Sequence, residues 1–307
     1  MKSEIRKDYI QEKYVIIAPQ RSERPHDVSI SGSKSMGDTD DNCPFCPKRV
    51  RSNKIIFAVG NKKHASQLVL KNKYPAVDLH NQKAYGTQEV VVETPYHNRH
   101  LEELPLRDIS ALLHTYSKRT EALERISGIH YIIVFKNNGG EAGASLKHAH
   151  SQIFATGFVP PLLLDKSRKV FEYRLLHGTC VYCDTITKEA KGPRLVYKDD
   201  NIIAFAPYAS RYNYEIWIMP LRHLDNIKKL THSEHASMAK ILQHSLKKIK
   251  ILGLPYNYYF HQVVNDTDQH LYMKITPRGS IWAGVEVGSG LVINPVSPED
   301  AAKYYRN

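Results

Sequence analysis

The sequence predicts an α+β protein of two pseudo-repeated halves, each a mostly antiparallel sheet with a packed helix. Three observations predict it. The four cysteines fall as two Cys-x-x-Cys pairs, Cys43 with Cys46 and Cys180 with Cys183. Tens of residues after each pair, an apolar run ends in proline and is closely followed by a histidine, His97 in one case and His223 in the other. Each of these histidines then precedes a helical pattern, a glycine, an aromatic or β-branched strand pattern and a further histidine, His148 or His270.

The elements follow in order. Val90-Val91-Val92, leading to Pro95, reads as a strand because β-branched side chains suit a pleated, half-buried surface. Ile109, Leu112, Leu113, Tyr116, Leu123 and Ile126 recur at helical spacing and give one helix an apolar face. Gly128 stops that helix, and Tyr131 to Phe135 form the next strand. The second half repeats the series. Ile216 to Met219 is the strand, and Met238, Ile241, Leu242, Leu246 and Ile249 form the apolar face of a helix that ends near Gly253. Thr231 and Glu234 have the spacing of a capping box at its start. Tyr256 to Phe260 is the strand that follows, and His270 opens the last motif.

A chain of 307 residues with 42% hydrophobic content can give each half its own buried core. Lys and Arg number 43 against 31 for Asp and Glu, so the net charge of +12 sets up a field that draws acidic or phosphorylated partners. The first residues carry charges where a secretory signal needs an apolar stretch, and no run approaches the roughly 18 apolar residues of a membrane span. A cytoplasmic protein without a membrane partner is expected.

In a reducing compartment, paired cysteines point to metal ligation or redox work. A single pair would also suit a thioredoxin-like site. The order Cys-x-x-Cys, His, His occurs twice, however, and each time supplies the four ligands of a closed structural zinc site: Cys43, Cys46, His97 and His148, then Cys180, Cys183, His223 and His270. The ligands stand tens of residues apart, unlike those of compact nucleic-acid-binding fingers. They read as two clamps, each tying distant strands together.

Chemistry is to be sought where one half has something the other lacks. His148-Ala149-His150-Ser151-Gln152 stands against His270-Leu271-Tyr272-Met273-Lys274, so His150 and Gln152 have no counterparts of their own type. On a strand these alternate residues share a face. With His148 held by metal, His150 is free to attack phosphorus and later to leave it, and Gln152 can hydrogen-bond a phosphate without adding charge. Just upstream, Gly139, Gly140 and Gly143 let backbone amides approach an anion, and Ser145 adds a hydroxyl.

The stretch from Phe135 to Gln152 resembles the active-site segment of galactose-1-phosphate uridylyltransferases, a branch of the histidine-triad superfamily. That resemblance implies two histidine-triad-like halves, with His150 as the nucleophile that becomes nucleotidylated and Asn137, Ser145 and Gln152 as phosphate contacts. Cys43, Cys46, His97 and His148 match the family's zinc positions. Ala18 to Pro25 is similar to the family's early segment, which implies that Arg21 and Arg24 serve the phosphates; Asn72 falls where the family holds the nucleoside. The C-terminal region departs from the hexose-binding pattern, reading Ile281-Trp282-Ala283-Gly284-Val285-Glu286. From there to Ala302 it looks more like the ADP-glucose phosphorylase relatives, which carry a second Cys-x-x-Cys zinc site.

The expectation is therefore a nucleotidyltransferase with two structural zinc ions. Residues 1–165 form a catalytic half with the first zinc site, and residues 166–307 form a half with the second zinc site and no nucleophile. A nucleoside diphosphate sugar, or a similar nucleotide, binds and donates its nucleoside monophosphate through His150 to a phosphate or sugar-phosphate acceptor. Relatives imply a homodimer. Two alternatives remain. A histidine-triad nucleotide hydrolase differs only in using water as acceptor. A zinc-stabilised nucleic-acid-binding protein is suggested by the charge and by 19 tyrosines, but Tyr256, Tyr258 and Tyr259 fall in a strand pattern, where packing is the simpler role, so no nucleic-acid partner is expected.

Overall fold

The computed structural model describes residues 3–19, 39–60, 65–263 and 266–307. The first half contains β1 (Glu4–Lys7), β2 (Tyr14–Ile17), α1 (Pro47–Val50), β3 (Ile55–Val59), β4 (Gln67–Lys71), β5 (Gly86–Val92), α2 (Leu106–Glu124), β6 (Tyr131–Asn138) and β7 (His150–Thr156). Next come α3 (Pro161–His177), α4 (Val181–Glu189), β8 (Leu195–Lys198), β9 (Ile202–Phe205) and β10 (Ile216–Pro220). The chain ends with α5 (His232–Ile251), β11 (Tyr256–His261), β12 (Tyr272–Pro277), α6 (Gly284–Ser289), β13 (Val292–Asn294) and α7 (Pro298–Arg306).

Ten strands form one sheet in the order β3-β4-β5-β7-β6-β11-β12-β10-β9-β8, and every neighbouring pair is antiparallel. Read inward from its two edges, the sheet repeats one order: β3-β4-β5-β7-β6 from one side and β8-β9-β10-β12-β11 from the other. The pseudo-repeat is thus present in the topology. The two half-sheets do not stand apart, because β6 and β11 pair from Asn138 with Tyr256 to Phe135 with Tyr259 and fuse them. A small sheet, β1-β2-β13, packs Val15 and Ile17 against Ala209.

Alternation along the strands separates two faces. Val69, Val91, Ile153, Val134, Tyr258, Met273, Ile218 and Ala204 lie on one face and form the main core with the buried sides of α2 and α5. Each fully buried Leu or Ile there contributes about 1.5–3 kcal/mol of apolar transfer energy, which outweighs the weak intrinsic preference of any single residue for helix or strand. Thr231 and Glu234 do form a capping box at the start of α5. Gly128 and Gly253, with φ of 80° and 66°, take the left-handed conformation after α2 and α5.

The opposite face carries His150 and Gln152 in the first half and Tyr272, Lys274 and Trp217 in the second. In the second half it is covered by α3 and α4 through Val170, Val181, Tyr182 and Ile186. No element was expected over α3. Its apolar residues are spread around the helix instead of forming a stripe, and Leu162, Leu164, Phe171, Leu175 and Leu176 are exposed. Among the described residues, no helix is long and apolar enough to cross a membrane.

Candidate metal clamps and active site

Each expected ligand set is brought together. Cys43, Cys46, His97 and His148 are buried with their donor atoms within 4.8 Å of one another, and Cys180, Cys183, His223 and His270 meet the same distance with less burial. In the first set Cys46 Sγ lies 3.5 Å from His97 Nδ1 and 3.6 Å from His148 Nδ1. In the second, Cys183 Sγ lies 3.4 Å from His223 Nδ1 and 3.7 Å from His270 Nδ1. A tetrahedral ion with Zn–S of about 2.3 Å and Zn–N of about 2.0–2.1 Å requires edges of about 3.6 Å, so both sets fit such an ion.

The imidazoles are oriented for this role. His148 Nε2 donates to Thr94 O at 2.8 Å, His223 Nε2 to Thr267 O at 2.8 Å, and His270 Nε2 to Pro220 O at 3.0 Å. Each ring therefore turns its Nδ1 lone pair to the cysteines, as metal-ligating histidines do. Hydrogen bonds from Cys183, then His223 and His270, lower the pKa of the Cys180 thiol against the opposing effect of burial, in keeping with thiolate ligation.

His150 begins β7, two residues beyond the first clamp, and is 7% exposed. Its Nδ1 donates to His148 O at 2.8 Å, which leaves Nε2 with a lone pair. Burial, opposed by that hydrogen bond, lowers its pKa and favours the neutral ring. Phe45, from the middle of the first Cys-x-x-Cys, packs on the His150 ring with centroids 5.3 Å apart. The metal clamp and the histidine are thus joined through one side chain. In the second half Tyr182 takes the same place and packs on Tyr272 at 5.8 Å.

Beneath the sheet at this point is a buried pair. Lys136 Nζ donates to Glu93 Oε2 at 2.6 Å and to His150 O at 3.2 Å, with both side chains 1% exposed or less. Next to it Tyr116 OH donates to Ser151 Oγ at 2.6 Å and shares a hydrogen bond with Tyr258 at 2.8 Å. These groups set the backbone of β7 from below. Lys136→Met leaves the Glu93 carboxylate buried without its counter-charge, and should cost about 3–5 kcal/mol of stability in urea unfolding; a cost below about 1 kcal/mol would show that the pair does not brace the strand.

A cleft of about 540 Å³ opens beside His150, lined among others by His100, Asn137, Ser145 and Lys147. Asn137 Oδ1 accepts from Asn257 Nδ2 at 2.8 Å, and the same amide donates to Ala142 O at 2.7 Å. A residue of the second half thus braces the first half's glycine-rich turn. The amides of Ala142, Gly143 and Ala144 donate to carbonyls within that turn, so they do not point at a ligand. Gly143, with φ of 85°, and Gly139, with φ of 89°, shape the turn instead; a Cβ on Gly139 would stand 2.7 Å from Pro255 Cβ. Ser145 is exposed at the cleft.

Gln152 lies on the same face as His150, and its Oε1 accepts from Gln88 Nε2 at 2.8 Å, which leaves its own amide hydrogens free to donate. Asn72 follows β4, two strands from β7. Its backbone N–H bonds Gln88 O at 2.9 Å and its Oδ1 accepts from Tyr74 N at 2.8 Å, so it is near Gln88 but not in the cleft wall. Arg21 and Arg24 lie outside the described residues. A larger cleft of about 690 Å³ is lined by Phe45, Leu68, Val92, Tyr96 and Arg99 among others, and does not include His150.

At the corresponding place in the second half, the described residues are packed together. Tyr272 stacks between Trp217 at 4.4 Å and His261 at 4.6 Å, Lys166 donates to its hydroxyl, and Lys274 pairs with Glu215 at 2.6 Å. Aromatic rings fill the space that is open beside His150. The sequence signals missed were Phe45, Lys136, Glu93 and Asn257. Only Phe45 had a visible cue, as the aromatic residue it shares with Tyr182 between paired cysteines.

The chain is similar to several known proteins. Residues 1–160 match the family described as galactose-1-phosphate uridyl transferase, N-terminal domain, and residues 107–304 match a domain of unknown function (DUF4921). The chain is 32% identical to ADP-glucose phosphorylase of Arabidopsis thaliana, over 99% of this chain and 92% of that protein. It is 28% identical to galactose-1-phosphate uridylyltransferase of Thermotoga maritima, over 99% and 98%. The crystal structure of an ADP-glucose phosphorylase from Arabidopsis thaliana with bound ADP-glucose superposes with a TM-score of 0.89 at 31% identity, covering 100% of this chain and 99% of that one. A uridylyltransferase structure gives 0.76 at 28% identity, with 99% and 97% covered.

Proposed function

Because the chain belongs to the galactose-1-phosphate uridylyltransferase family, in its ADP-glucose phosphorylase-like branch, we propose that it transfers a nucleoside monophosphate through a covalent intermediate on His150. The donor is a nucleoside diphosphate sugar and the acceptor a phosphate or sugar phosphate. The observation that carries this reading is the His150 tautomer: Nδ1 is held by His148 O, so the Nε2 lone pair is the nucleophile, and it stands beside a cleft.

The steps are ping-pong. Nε2 attacks the α-phosphorus, an N–P bond forms, and the P–O bond to the sugar phosphate breaks, with its electron pair leaving on that oxygen. An acceptor phosphate oxygen then attacks the same phosphorus and the N–P bond breaks, returning the lone pair to Nε2. Arg21 and Arg24 supply positive charge to the phosphates, Asn137 and Ser145 donate hydrogen bonds, and Gly143 shapes the turn that presents Ser145. Asn72 belongs with the nucleoside. Such catalysis depends mainly on positioning and charge stabilisation.

The two clamps would each hold a structural zinc ion, Cys43, Cys46, His97 and His148 one and Cys180, Cys183, His223 and His270 the other. With all four positions filled by protein, neither has a site open for water. Residues 1–165 make the catalytic half and residues 166–307 the half without a nucleophile. Reduced, metal-bound cysteines suit the cytoplasm. The exposed apolar residues of α3 offer a surface for a homodimer, which sedimentation of the wild type against Leu175→Glu tests.

Incubation with a panel of ADP- and UDP-sugars followed by intact mass measurement tests the central step. One donor should leave its nucleoside monophosphate on the protein, and adding a phosphate acceptor should discharge it. If discharge is equally fast in water alone, the protein is a hydrolase.

Gln152 gives a finer test. Its amide, steadied by Gln88, should bond the transferred phosphate more strongly in the transition state than in the bound substrate. Gln152→Ala should then lower turnover on the order of 100-fold while KM changes little. Unchanged turnover would make Gln152 an ordinary strand residue.

A further inference from the structure

On the helical side of the sheet, opposite His150, three histidines converge. His114 of α2 and His232 and His235 of α5 bring one nitrogen each within 4.8 Å of one another. The His114 ring stacks on His232 and meets His235 edge-on, both with centroids 5.7 Å apart. From these groups we infer that α2 and α5 carry a third metal site, for a divalent ion of the zinc, nickel or copper class.

The tautomer of His235 carries the inference. His235 is 2% exposed, and its Nε2 lies 3.0 Å from Ser117 Oγ. The single hydroxyl proton of Ser117 goes to a backbone carbonyl, Ile227 O at 2.9 Å or Leu113 O at 3.2 Å, so toward His235 the oxygen accepts. Nε2 therefore carries the proton and Nδ1 keeps a bare lone pair. That Nδ1 is buried and has no hydrogen-bond partner. A buried acceptor left unpaired costs free energy, unless a ligand fills it. A ring that donates through one nitrogen to a neighbouring group and offers the other is the arrangement metal-binding histidines adopt.

The remaining features agree. Lys118, one turn beyond His114, is paired with Glu121 at 3.5 Å. His232 is exposed at the start of α5 and can turn inward as the three nitrogens close to the roughly 3.4 Å edge of a tetrahedral site. Three imidazoles favour a borderline ion over calcium or magnesium. They leave one position to water, so this ion exchanges more readily than those of the closed clamps. Because α2 comes from the first half and α5 from the second, the ion ties the two halves together on the face away from the cleft.

The test uses zinc-loaded protein, dialysed to its tightly held ions and titrated with Ni²⁺ by calorimetry, with metal content measured by mass spectrometry. The wild type should take up one further ion per chain. In His114→Ala/His232→Ala that uptake should weaken at least tenfold, with the clamp ions unchanged, while a control in exposed His80→Ala should behave as wild type. No further ion on the wild type, equal affinity in the double variant, or loss of binding in the His80 control would each overturn the site.

Discussion

His150→Ala should reduce nucleotidyl transfer on the order of 10⁴-fold or more, since removing a nucleophile abolishes the covalent route. It removes no clamp ligand, so the bound metals and the unfolding midpoint should stay close to those of the wild type. The nearby ring of Phe45 loses one contact and no hydrogen-bonded partner. Label from a donor carrying radioactive α-phosphate should be acid-labile on the wild type and missing from the variant. His150→Gly opens a hole in which added imidazole can take over the attack, and recovery of activity would identify a nucleophile more sharply than loss does. Label that persists on the Ala variant would place the nucleophile elsewhere.

Breaking the first clamp should have the next largest effect, of a different kind. Cys43→Ser/Cys46→Ser removes both thiolates from a fully buried site, and loss of a structural metal belongs among the mutations that cost more than about 4 kcal/mol. The damage should reach the chemistry, because Phe45 sits between the two cysteines and packs on His150, and His148 belongs to the ligand set and holds His150 through its carbonyl. Metal content should fall from two clamp ions to one, the unfolding midpoint should drop, and labelling of His150 should disappear. Cys180→Ser/Cys183→Ser should also lose one ion and stability. At low temperature, however, it should still label, since that clamp touches the filled cleft around Tyr272 and not the open one. If both double variants label equally well, the clamp does not position the nucleophile.

The local order of the chain was legible because it is written in short-range spacing. The apolar periods of α2 and α5, the capping box at Thr231 and the glycines that end both helices all act within a few residues. The duplicated ligand order exposed both clamps, since a tetrahedral ion accepts few residue types and the type pattern survives long loops. The same comparison of halves singled out His150 against Tyr272.

What lay beyond the sequence were contacts between faces that no local period specifies. Spacing shows which residues of a strand share a face, but not which strand will lie beside it. Only the pairing of β6 with β11 turns two half-sheets into one and brings Asn257 to Asn137. Only the packing of α3 and α4 fills the second cleft with Tyr272, Trp217 and Tyr182. The Lys136 and Glu93 pair and the three histidines of α2 and α5 likewise join residues 43 to 121 positions apart, brought together by register and by helix packing. Residue type and local spacing determined the repeated order of elements and singled out the two ligand sets and His150; tertiary structure decided which half keeps an open cleft, because burial and register are properties of the assembled sheet.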